Sequence, residues 1–326
     1  MNVTALAGGV GAGKLLRGVV RVIPPEDLTV VVNTGDDILI HGLHVSPDLD
    51  SVTYWLAAIM DRERGWGRTD ETFRATQELR RLGAEDAWFG LGDIDLATHL
   101  LRTSMLAAGR SLAEVTADLA RGFGVAARIL PMSDDPVTTR VVVAGPDGEA
   151  LDLHFQEYWV ERGAQDQVKS IRYEGVERAR PAPGVLEAVA VADVVIVCPS
   201  NPVASIDPIL SVPGIREAVA SRRDRVVAVS PIVRGAPLRG MADKLLPVAG
   251  VEVSAVGVAE HYAGLLGAFL FDIQDRALWD RVVRACGRAG VTDTIMVDDQ
   301  AAELVARAAI ELVVNASEPR PSGAAR

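Results

Sequence analysis

Short apolar runs broken by Gly, Pro and acidic residues recur along the chain, and their spacing sets the expected elements. Residues 2–7 (NVTALA) read as a buried strand, and the glycine-rich GGVGAGK after it reads as a tight loop. LLRGVVRVI then has helical apolar spacing and stops at Pro24 and Pro25. A second apolar strand, LTVVVN at 28–33, follows closely, so the first 33 residues predict a βαβ unit with parallel strands. NTGDDILIHGLHVSPDLD carries turn residues, and 51–62 predicts a helix with Asp50 at its cap.

From Thr69 to about Gly124 the spacing is amphipathic and helical, as in DETFRATQELRRLG and SLAEVTADLARGFG. RILPMSDD, TTRVVVAGPDGEALDLHFQEYWV and VKSIRYEG alternate around a PDG turn, which predicts a hairpin. Together, about 69–180 forms an inserted lobe of helices and hairpin within a single α/β domain over 1–316. After Pro181 the α/β rhythm returns. It predicts a helix near 184–191, the strand DVVIVC, the loop PSNPVAS, a helix from Ile215, the strand RVVAVS and further helices to Val314. The last residues, 317–326, read as a frayed, flexible tail.

Apolar residues make up 49% of the 326, so the chain can bury a large core. No run approaches the roughly 18 apolar residues of a membrane span, and the N-terminus lacks the pattern of a signal peptide. The expected location is the cytoplasm. A formal charge of −11 argues against nucleic acid as a partner. Cys198 and Cys286 stand in apolar settings outside any CxxC or Cys/His grouping, so a zinc site is not expected.

Gly8 to Lys14 satisfies GxxxxGK, a spacing that lets backbone N–H groups converge on an anion at a helix N-terminus. The match to a P-loop NTPase stops at Leu15, where Ser or Thr would ligate magnesium. Asp36, Asp37, Asp48 and Asp50 crowd the stretch after the second strand, a carboxylate density suited to a hard divalent cation, with Mg2+ the natural candidate. An open parallel sheet places ligands at this end of its strands. Ser200, Asn201 and Ser205 follow the strand DVVIVC in the same way and offer hydrogen bonds to a base, ribose or phosphate, although Asn-Pro turn chemistry also explains them. His41 and His44 flank the acidic loop, while His99, His154 and His261 read equally well as structural.

Several stretches together resemble one family, the 2-phospho-L-lactate or phosphoenolpyruvate transferases of coenzyme F420 biosynthesis. They are LAGGVGAGKLLRG (6–18), NTGDDILIHGLHVSPDLDSVTYWLA (33–57), GWGRTDETF (65–73), WFGLGDIDLATHLLRT (88–103), HFQEYWV (154–160), PSNPVASIDPILSVPGIREAV (199–219) and SPIVRGAPLRGMADKLL (230–246). The resemblance implies a doubly wound, Rossmann-like core with an inserted lobe, commonly as a homodimer. It implies Mg2+-dependent transfer of a phospho-three-carbon-acid group from a guanosine diphosphate-linked donor to the ribityl hydroxyl of the deazaflavin Fo, with release of GMP. By position, Gly8, Gly9, Gly11, Lys14, Ser200, Asn201 and Ser205 would hold the donor, and Asp36 and Asp48 the metal. Asp37 and Asp50 would orient Fo or accept its proton, with Asn33 and His41 beside the substrate. Two departures stand out: Ala12 and Gly13 reverse the family's usual GGVGGA order, and Ile94 replaces a commonly basic residue. A nucleotide-sugar-binding regulator of a related family and a P-loop kinase are the alternative readings.

Overall fold

The computed structural model describes residues 1–145 and 147–315. Strand β1 (Val3–Ala7) leads into helix α1 (Gly9–Val22), and β2 (Leu28–Val32) follows. Next come a small hairpin, β3 (Ile38–Ile40) and β4 (Leu43–Val45), and helices α2 (Pro47–Leu56), α3 (Arg74–Arg81), α4 (Asp95–Ala107) and α5 (Leu112–Gly122). Strand β5 (Arg128–Pro131) precedes β6 (Thr138–Ala144), β7 (Ala150–His154) and β8 (Val168–Glu174). Then α6 (Val185–Val191), β9 (Val194–Val197), α7 (Asp207–Ser211), α8 (Ile215–Ser221) and β10 (Val226–Val229) restore the alternation. A second small hairpin, β11 (Ile232–Val233) and β12 (Ala236–Pro237), is followed by α9 (Ala242–Leu245), α10 (Ala255–His261), β13 (Ala268–Asp272), α11 (Trp279–Cys286), β14 (Ala289–Thr292) and α12 (Asp299–Val314).

Seven strands form one parallel sheet in the order β14-β13-β10-β9-β1-β2-β5. Both faces are covered, which is why the central strands are continuous Val, Ile, Leu and Ala runs. Along β1 and β9 the side chains alternate between two cores. Val3, Ala5, Ala7, Val194 and Ile196 pack with α1 and α12, whereas Leu6, Val195 and Val197 pack with α6, α8 and α10. This is the doubly wound, Rossmann-like arrangement that the resemblance implied. The antiparallel sheet β7-β6-β8 turns Val141 and Val143 into the second core. Strand order reverses at β1, which opens a crevice at the carboxyl ends of β1, β2 and β9.

Four local expectations are corrected. Helix α1 starts at Gly9, so most of GGVGAGK is helical and only Gly8 and Gly9 make the turn, Gly9 with φ of +69°. Gly11, Gly13 and Gly18 serve close packing instead: a Cβ would lie 2.1 Å from Pro199 O, 2.0 Å from Trp55 Cδ1 and 2.1 Å from Ala302 O, respectively. The second correction is in α2, where Ser46 is the N-cap and Pro47 opens the helix, so Asp48 and Asp50 lie in its first turn. It ends at Leu56, short of Arg62, and Ala58 then takes a left-handed φ of +60°. Third, RILP is β5, paired with β2 in the main sheet and not with the hairpin, so the segment 69–180 returns once to the central sheet. Fourth, AFLFD and AGVT are strands β13 and β14 inside a region read as helices, because short apolar runs do not separate the two periods. The tail expected at 317–326 lies outside the described residues.

Candidate active site

The ends of three parallel strands bring the site together. Backbone bonds from Asn33 N to Ala7 O and from Cys198 N to Leu6 O carry the pairing past β2 and β9, so Gly8, Asn33 and Ser200 emerge side by side. Gly8 N donates to Ser200 Oγ at 3.2 Å. A Cβ on Gly8 would stand 2.3 Å from Asp48 Oδ2 and 2.7 Å from Ser205 Cβ, so only glycine admits this approach.

Asn33 organises the acidic turn. Its Oδ1 accepts from Gly35 N at 2.8 Å, fixing the turn, and its Nδ2 donates to Asp48 Oδ2 at 2.9 Å and reaches Asp36 Oδ1 at 3.4 Å. Gly9 N–H and Ser205 also donate to Asp48, which brings its carboxylate to the start of α1, where the helix dipole favours negative charge. Burial nevertheless pushes Asp48 up to about 6, against those three donors. Asp36 is pushed well above the usual carboxylate range by burial first, then by the charges of Asp48 and Asp37. Two buried carboxylates thus share one neutral amide donor. Such a pair accommodates a proton or a cation more readily than two full negative charges.

The segment HFQEYWV, quoted above only for its resemblance, supplies support that the sequence reading assigned to no role. Gln156 Nε2 donates to Asp36 Oδ2 at 2.9 Å. Gln156 N donates to His154 Nδ1 at 3.0 Å, which leaves the proton on Nε2 for Asp37 O at 3.1 Å. Two polar residues at i and i+2 at the end of an alternating strand were the available signal.

The remaining aspartates divide. Asp37 Oδ2 accepts from Ser46 Oγ at 2.7 Å, while its Oδ1 is buried with no partner among the described residues. Burial holds Asp37 well above the usual carboxylate range, with Ser46 and Arg102 acting in the opposite direction. Asp50 is paired instead: both its oxygens are bound by the Arg102 guanidinium, one at 3.0 Å, and Arg102 is only 2% exposed. His99 Nδ1 lies 3.7 Å from Asp50, and Asp95 beyond it accepts from the Tyr54 hydroxyl. Asp50, expected beside the substrate, thus faces Arg102, which occupies one lone-pair site on each of its oxygens.

Other expected residues are placed elsewhere. His41 sits at the tip of the β3–β4 hairpin with a left-handed φ of +52°, its N–H on Asp86 Oδ2. Asn201 Oδ1 caps its own turn through Val203 N at 3.1 Å and Ala204 N at 3.2 Å, the turn role its Asn-Pro context allowed. Leu15 is fully buried. Gly11 packs against Pro199, and Lys14 faces Trp55 and Arg62 on the flank of α1, apart from the Gly8–Ser200–Ser205 group. A surface cavity of about 530 Å³ lined by Ile273, Arg276, Trp279 and Val291 holds none of the acidic residues. Among the described residues, no three His, Cys, Asp or Glu side chains converge on a common metal position.

Fold and site together define a Rossmann-like α/β protein whose switch-point crevice is lined by carboxylates and hydroxyls. The chain belongs to the 2-phospho-L-lactate transferase CofD family, which matches residues 3–311. It is 50% identical to the phosphoenolpyruvate transferase of Streptomyces griseus, covering 96% of this chain and 98% of the relative. To that of Mycolicibacterium smegmatis it is 42% identical, covering 96% and 98%. A solved structure of a UPF0052 family member from Bacillus halodurans aligns over 95% of this chain and 98% of its own, with TM-score 0.59 and 20% identity, a likeness of fold. The family makes this chain a transferase of coenzyme F420 biosynthesis. No helix among the described residues is long and apolar enough to cross a membrane.

Proposed function

We propose that the chain transfers an enolpyruvyl phosphate or phospholactyl group from a guanosine diphosphate-linked donor to the ribityl hydroxyl of Fo, releasing GMP. The relatives named phosphoenolpyruvate transferase favour the enolpyruvyl form. The observation that carries the reading is the buried Asp36–Asp48 pair at the mouth of β1 and β2, joined by Asn33 and set against Gly8 and Gly9.

The donor set fits Mg2+, which takes oxygen ligands and usually binds through one or two carboxylates plus substrate phosphates. Asp36 and Asp48 would hold it, and when bound it would neutralise charge on the diphosphate. Around that position, Ser200 and Ser205 offer hydroxyls to the donor. Asp37 Oδ1, without a partner, is the acceptor left for the Fo hydroxyl, and Ser46 and His154 fix the orientation of its residue. The hydroxyl oxygen forms the new bond to phosphorus, and the bond from that phosphorus to the GMP oxygen breaks. Positioning of these two oxygens supplies much of the rate.

Incubation with Fo, Mg2+ and each candidate guanylylated donor tests this reading. GMP release with a product mass equal to Fo plus the phospho-acid group is expected. Absence of GMP with every donor rules the reading out, and the product mass identifies the acid.

A further inference from the structure

The loop after β9 closes as one wide turn over Pro202–Ile206, whose bonds run five residues back instead of four. Ile206 N donates to Asn201 O at 3.2 Å, and Asp207 N donates to Pro202 O. This turn carries Ser205, which stands against Gly8 and donates to Asp48.

The wide turn strands one carbonyl. In an α-helix Val203 O would accept from Asp207 N, but that N–H goes to Pro202 O. Five residues on stands Pro208, which has no N–H, so the backbone offers no donor at either spacing. The donor comes from the inserted lobe: the Tyr173 hydroxyl, on β8, donates to Val203 O at 2.6 Å. Burial, then the charge of Asp207, hold the Tyr173 phenol above its ordinary value, so it keeps the proton it donates. Val203 is buried, and its carbonyl would be costly to leave without a partner.

The other strong holds lie at the two ends of the turn. Asn201 Oδ1 accepts from Val203 N and Ala204 N, and the Asp207 carboxylate meets His261 Nε2 of α10 at 2.9 Å. Between them, Asn33 Nδ2 reaches Ala204 O at a longer 3.4 Å. Tyr173 lies opposite Thr139 in the register of β6 and β8, and Thr139 N donates to Gly35 O at 2.6 Å. One cross-strand pair therefore grips both turns of the site, the acidic one at Gly35 and the other at Val203. The two turns also touch: a Cβ on Gly35 would lie 2.7 Å from Thr139 Oγ1 and 3.3 Å from Pro208 Cβ.

We infer that Tyr173 is a positioning residue of the transfer site, its hydroxyl fixing the Pro202–Ile206 turn so that Ser205 meets Asp48. Without that hydroxyl Val203 O must find another donor, which shifts the turn and withdraws Ser205. What Ser205 and Asp48 do in the reaction rests on the transferase reading, whereas the hold of Tyr173 on the turn does not.

Two measurements on the full chain test the inference. Amide hydrogen exchange is compared between wild type and Tyr173→Phe at Ser205 and Ile206, whose N–H groups close the turn on Asn201 O. Faster exchange there, with the amides of β6 and β8 unchanged, is expected, and unchanged exchange at Ser205 and Ile206 overturns the inference. Steady-state GMP release is measured for Tyr173→Phe, Ser205→Ala and the double variant. Tyr173→Phe should lower kcat/KM for the donor about tenfold, as for one displaced hydrogen bond, and leave KM for Fo within about twofold. In the Ser205→Ala background the same change should alter kcat/KM by less than about twofold, because the hydroxyl acts through Ser205. Wild-type kinetics in Tyr173→Phe, equal losses in both backgrounds, or a KM for Fo that rises in step overturns the positioning role. A wild type that releases no GMP with any donor removes the transferase reading and the kinetic role with it, and the exchange result still decides whether Tyr173 holds the turn.

Discussion

Asn33 donates its amide to Asp48 Oδ2 at 2.9 Å while the same nitrogen reaches Asp36, so the residue that follows β2 ties a turn to the first turn of α2. Replacing it removes one donor and one acceptor from a buried place. Asn33→Ala is expected to lower stability by about 1–3 kcal/mol, because Gly35 N–H and Asp48 both lose a partner. Urea unfolding measures this, and an unchanged midpoint would remove Asn33 as the organiser of the turn.

Asp48 sets a pH dependence. Its folded value, about 6, lies above the ordinary carboxylate value of 3.8, so the folded state holds the proton more tightly than the unfolded chain. Stability without a cation is therefore greatest below about pH 4 as far as this group is concerned, falls as pH rises towards 6, and stays reduced above it. The shift corresponds to about 3 kcal/mol at most, since each unit is worth about 1.4. Asp48→Asn should flatten this slope in pH-dependent denaturation. Under the proposed metal role, Mg2+ should raise the melting temperature more at pH 7 than at pH 5, and an equal gain at both speaks against Asp48 as a ligand.

The same Asp48→Asn variant should keep its fold and lose turnover by about a hundredfold or more, because a neutral amide cannot replace a charge that balances a cation. Retention of full activity with Mg2+ removes Asp48 from the centre. Circular dichroism separates loss of chemistry from loss of structure.

Arg102 and Asp50 form a buried pair in which each supplies the other's charge. Arg102→Met is expected to destabilise by about 3–5 kcal/mol, since it strands a buried carboxylate. Adding Asp50→Asn should recover a large part of that loss. If the double variant is no more stable than the single one, Asp50 draws its stabilisation from another partner.

Gly18 in α1 lies where a methyl group would stand 2.1 Å from Ala302 O of α12. Gly18→Ala should lower stability by about 1–3 kcal/mol despite the better helix propensity of Ala, because the two helices must separate. Thermal melting reads this directly, and a raised midpoint would show that the helices can adjust.

The amino-acid pattern alone was enough for the βαβ start, the strands at DVVIVC and RVVAVS, and the crowding of Asp36, Asp37 and Asp48 after β2, because these depend on local periodicity and turn chemistry. It was also enough for the family, through motifs spread along the chain. It left open that β5 joins the main sheet and that AFLFD and AGVT are strands, since pairing is decided by distant partners. Only the tertiary structure distinguished the four aspartates. Asp50 meets Arg102 from α4, Asp48 meets Gly8 and Ser205, and Asp36 meets Gln156 from beyond β7. Four identical side chains within fifteen residues acquire different chemistry because the charge, burial and donors around each come from segments remote in sequence.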